Sequence, residues 1–90
     1  MPNYLVETFL ARGDADHPGA REMATRAAID ALRRDGSSIR CIGALYVPDD
    51  EICLYTFDAP TADDVERLAD RAGLRVLRIV EAMPSLDGIR

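Results

Sequence analysis

The chain has 90 residues, 48% of them hydrophobic and 30% charged, which suits one domain around one core and is too apolar for disorder. With 16 acidic residues against 11 basic ones the net charge is −5, which opposes a polyphosphate or an anionic membrane as a partner and argues against a nucleic-acid role. No apolar run reaches the length of a membrane span, and Met1-Pro2-Asn3 leads into a strand pattern without a signal-peptide pattern, so a cytoplasmic location is expected.

Tyr4 to Leu10 reads as a strand, with Tyr4, Val6, Thr8 and Leu10 on one face and Leu5, Glu7 and Phe9 on the other. Both faces are largely apolar, so the strand should be central. Arg12 to Gly19 has the Gly, Asp, His and Pro content of an exposed connection. The spacing then predicts a helix from about Pro18 to Arg34, with a stripe of mostly small residues at Ala20, Met23, Ala24, Ala27, Ala28, Ala31 and Leu32. Arg33 and Arg34 complement its dipole, and Asp35-Gly36 ends it.

A second strand is expected over Ile39 to Val47, and Pro48-Asp49-Asp50-Glu51 is a turn too short for a crossover, so the strand Ile52 to Phe57 should pair with it antiparallel. Asp58-Ala59-Pro60 stops that strand. Thr61 with Asp64 three residues later resembles a capping box, and Val65, Leu68, Ala69 and Ala72 form the buried stripe of a second helix that ends at Gly73. Leu74 to Ala82 is the fourth strand, and Met83 to Arg90 reads as a tail.

The order βαββαβ predicts a single α+β domain over residues 3–82, a ferredoxin-like four-stranded antiparallel sheet with both helices on one face. Right-handed crossovers place the strands in the order four, one, three, two. The second face then has no helix to cover it, and a homodimer formed through that face is the expected partner arrangement.

Tyr4-Leu5-Val6-Glu7, Tyr46-Val47-Pro48-Asp49-Asp50 through Cys53-Leu54-Tyr55, and Asp58-Ala59-Pro60 through Arg71-Ala72-Gly73-Leu74 resemble a family of small bacterial ferredoxin-like domains of unknown function, related to a nickel-binding protein. The resemblance implies a ferredoxin-like homodimer with metal binding in at least one branch. In that branch histidines near the end of the first strand supply ligands, where this chain has Thr8-Phe9 and its lone histidine, His17, follows in the loop.

Nickel or another divalent ion would draw here on Asp14, Asp16 and His17, two carboxylates and an imidazole within one loop. The plainer reading of these residues is a solvated loop that launches the helix. Glu7 interrupts an apolar face on a central strand, so it is a candidate base or ligand in a cleft with Tyr4, Tyr46 and Tyr55, or else the partner of Arg75 or Arg40 in an ion pair. Tyrosines in strands also serve as core and interface packing.

Cys41 and Cys53 lie in strand patterns without metal or redox spacing and read as buried, inert thiols. Asp63-Asp64 is accounted for by helix-start electrostatics. No nucleophile triad or glycine-rich phosphate loop is present. The sequence therefore predicts a small binding or accessory protein, with a cofactor-independent enzyme of the dimeric α/β-barrel type acting on a small apolar substrate, or an interaction module, as alternatives.

Overall fold

The first strand shows why the sheet has one dry face and one open face. In the computed structural model, which describes residues 1–13 and 19–83, β1 (Asn3–Phe9) alternates strictly between half-buried and buried positions. Tyr4, Val6 and Thr8 enter the core, while Leu5, Glu7 and Phe9 face the other way. Thr8 tolerates burial because its hydroxyl donates to the Cys53 carbonyl at 2.8 Å.

The remaining elements are α1 (Gly19–Arg34), β2 (Arg40–Val47), a tight turn at Pro48–Asp50, β3 (Ile52–Asp58), α2 (Ala62–Ala72) and β4 (Arg75–Ala82). The strands lie in the order β2-β3-β1-β4, and every neighbouring pair is antiparallel. This is the expected ferredoxin-like α+β arrangement, its strand order read from the opposite edge. The candidate ligands Asp14, Asp16 and His17, and the tail from residue 84 onward, lie outside the described residues.

Both helices pack on the face that carries Val6, Cys53, Tyr55 and Phe57, and the core closes around Leu10, Leu32, Ile39, Val65 and Leu68. Each such large side chain contributes about 1.5–3 kcal/mol through burial. The second face carries half-buried Leu5, Phe9, Ile52 and Leu54, and Leu45 there is 68% exposed. No described element covers it.

The stripe of α1 differs from expectation in its first half. Its buried residues are Thr25, Ala28, Ala31 and Leu32, whereas Met23 is 73% exposed and Ala20 and Ala27 face solvent. The same three-and-four spacing runs through Thr25 and the half-buried Ile29, a stripe rotated from the predicted one. Thr25 can occupy it because its hydroxyl donates to the Arg21 carbonyl at 2.8 Å, which removes the cost of burying a bare polar group.

At the start of α2 the Thr61 hydroxyl accepts the Asp64 amide at 3.3 Å, so half of the predicted capping box forms. The Asp64 carboxylate turns elsewhere, accepting the Ser37 hydroxyl at 2.8 Å and an Arg67 N–H at 3.3 Å. It thereby ties the second helix to the connection that follows the first. Gly73 ends α2 at φ 71°, a left-handed position suited to glycine, and its carbonyl accepts from Arg21 at 2.8 Å.

Candidate ligand groove

Small side chains on β2 leave space between α1 and the β2–β3 edge of the sheet. On the helix the wall is Glu22, Thr25, Arg26 and Ile29, and on the strands it includes Ala44 and Gly43, which project little into the gap. The result is a groove of about 560 Å³. Tyr46, Cys53 and Tyr55 complete its inner wall, and Glu22, Arg26 and Arg40 bring charge to it.

Cys41 also lines this groove, which corrects its expected burial: it is exposed on the edge strand, while Cys53 is buried on the central one. An edge strand that α1 does not fully cover leaves its inward side chains wet. Burial of the sulfur in the groove still pushes the Cys41 thiol above its ordinary range, and its Sγ donates to the Gly43 carbonyl at 3.5 Å. Both cysteines are free thiols.

The Tyr55 phenol is pushed up more strongly, first by burial and then by its contact with the Cys53 thiol. Its ring stacks on Phe57 with centroids 5.8 Å apart and planes 14° from parallel. With their pKa values pushed up, the Cys41 thiol and the Tyr55 phenol offer the groove protonated, hydrogen-bonding groups.

Glu7 lies on the other side of the sheet. Tyr4, Tyr46 and Tyr55 all pack against the helix-side core, so the expected cleft of Glu7 with three tyrosines does not assemble. The separation follows from strand parity, since successive side chains take opposite faces. Tyr46 and Tyr55 share the groove, and Tyr4 is buried at 7% exposure.

The partner of Glu7 is Arg78, with Nε 3.1 Å from Oε1, rather than Arg75 or Arg40. The register of β1 on β4 is the cause: running regularly from Asn3, it sets Arg78 opposite Glu7, and the shift that follows between Glu7 and Thr8 brings Arg75 opposite Phe9. The Arg75 guanidinium sits 4.9 Å from the Phe9 ring centroid instead. Arg40 is engaged by Asp58, whose Oδ2 receives Nε at 2.9 Å and Nη2 at 2.8 Å.

Among the described residues no group of three or more His, Cys, Asp or Glu side chains is placed to hold a metal ion. No helix among them is long and apolar enough to cross a membrane. The groove itself carried no linear signature, because its walls come from Thr25, Ala44 and Tyr55 on separate elements.

The fold defines the class: a ferredoxin-like α+β domain. No protein-family model and no curated protein matches the chain. Among solved structures it is similar to SCO4226 from Streptomyces coelicolor A3(2), with a TM-score of 0.73 and 19% identity over 92% of this chain and 98% of that one. At such identity the likeness concerns the fold.

Proposed function

We propose that the chain is a small dimeric binding protein that holds a small molecule in the groove between α1 and the β2–β3 edge. One observation carries this reading. The groove, at about 560 Å³, falls in the range of roughly 300–1,000 Å³ common to small-molecule sites, and its inner wall is apolar with a few polar groups.

The enzyme reading on the open face has less support, because Glu7 is held by Arg78 and the tyrosines lie across the sheet. The direct test is a titration with the neutral fluorescent probe N-phenylnaphthylamine. Enhanced emission that disappears in Ala44→Trp, which fills the groove from its edge, is the expected result. Emission unchanged by that substitution would reject the groove as the site.

Nickel or another divalent ion is the ligand that the family resemblance implies, and it would rest on Asp14, Asp16 and His17. Calorimetry with nickel on tag-free protein tests it separately. Heat that vanishes in His17→Ala supports the metal role, and no heat, or heat unchanged in that variant, rejects the proposed ligands.

A further inference from the structure

Resting on that binding reading, we infer that the groove takes an uncharged apolar molecule, and that Glu22 sets this preference by holding the guanidinium of Arg26. The groove side of α1 consists of Glu22, Thr25, Arg26 and Ile29, spaced by three and four residues so that they share one helix face. The strand wall is the helix-side set of Cys41, Ala44 and Tyr46 on β2 with Cys53 and Tyr55 on β3. Of the ionised groups, only Glu22 and Arg26 stand on these two facing sets.

Those two charges answer each other. Arg26 Nη2 lies 2.9 Å from Glu22 Oε1, an i,i+4 pair along the helix. Their effects on the Cys41 thiol are opposite in sign, Arg26 lowering its pKa and Glu22 raising it, so the groove meets the pair as a dipole rather than as a charge. Arg40 also borders the groove, but the strand register sets it opposite Asp58 on the sheet face away from α1, and that carboxylate takes Nε at 2.9 Å and Nη2 at 2.8 Å.

Two polar side chains of the walls are likewise turned to the protein. The Thr25 hydroxyl donates to the Arg21 carbonyl at 2.8 Å, and Cys41 Sγ donates to the Gly43 carbonyl at 3.5 Å. The surface left for a ligand is Ile29, Ala44 and the rings of Tyr46 and Tyr55. An ion placed against it loses water and meets no free counter-charge, whereas a neutral hydrocarbon surface gains by leaving water. Breaking the pair should therefore admit an ion of the sign that was held out: an anion in Glu22→Gln, where Arg26 is released, and a cation in Arg26→Gln, where Glu22 is.

The test is calorimetry of the full chain at neutral pH with naphthol, naphthoate and naphthylmethylammonium, one apolar body with three heads, on the wild type, Glu22→Gln, Arg26→Gln and Ala44→Trp. Naphthol should bind the wild type at least about tenfold more tightly than either ion, and lose all binding in Ala44→Trp. Naphthoate should gain about threefold in Glu22→Gln and naphthylmethylammonium about as much in Arg26→Gln, the scale of an exposed ion pair, with naphthol unchanged in both. Either ion binding the wild type as tightly as naphthol, with that binding lost in Ala44→Trp, overturns the uncharged-ligand inference while the groove reading stands. A naphthoate affinity that does not rise in Glu22→Gln overturns the role of Glu22. No binding of any of the three, or binding indifferent to Ala44→Trp, overturns the groove reading and the inference together. Glu22 and Arg26 are exposed on the helix surface, so their substitution tests charge without testing folding.

Discussion

Tyr55 links the core to the groove, and its proton makes that link measurable. Its phenol pKa is raised above the ordinary value of 10.0 in the folded chain, chiefly by burial. Folding is therefore stabilised by this group fully below about pH 10, where the unfolded tyrosine is also protonated. Above that pH the unfolded state binds fewer protons than the folded one, so stability falls as pH rises toward the folded pKa. Urea midpoints measured from pH 8 to 11 should decline above pH 10, and Tyr55→Phe should flatten the decline. The same slope in that variant would assign the effect to other groups. By contrast, the Glu7–Arg78 pair, with side chains 26% and 58% exposed, lies in the range where ion pairs contribute about 0–1 kcal/mol.

At the level of elements, α2 is held by its ends as much as by its stripe. Thr61 caps its first turn and Gly73 terminates it at φ 71°. Thr61→Ala should lower stability by about 1 kcal/mol through the lost cap, and Gly73→Ala by a comparable amount through the strained backbone. Thermal melts followed by circular dichroism check both, and unchanged melting temperatures would mean that these ends contribute little. Both signals were readable as residues, Thr61 ahead of an acidic first turn and Gly73 after the last apolar position. The route of the Asp64 carboxylate to Ser37 was not, because that contact joins residues 27 positions apart.

At the level of the whole molecule, the open sheet face bears on assembly. The molecule is a slab 38 × 36 × 18 Å, thin because a single helix layer backs a single sheet. Two copies joined through the open faces would bury Leu5, Phe9, Ile52 and Leu54 in a common interior. Leu54→Lys places a charge in the middle of that face opposite Glu7, where it finds a carboxylate and leaves the fold intact. Light scattering should give a dimer for the wild type and a monomer for this variant, with unchanged circular dichroism. A wild-type monomer would remove the dimer from the proposed function, and a dimeric variant would move the interface elsewhere.

Local chemistry along the chain determined the elements, their order and the strand arrangement, because hydrophobic period, caps and turn residues act over a few positions and the connections allow few topologies. It also divided β1 into two alternating faces, since parity is a local property, while which of them meets the helices came from the packing. The partner of Glu7 was beyond local chemistry, because the register of β4 on β1, which sets Arg78 and not Arg75 opposite Glu7, is not a local property. So was the groove, whose volume is the space left where Gly43 and Ala44 on β2 face Thr25 and Ile29 on α1. Only the packed structure shows how far those two walls stand apart, and that distance is what makes a site of them.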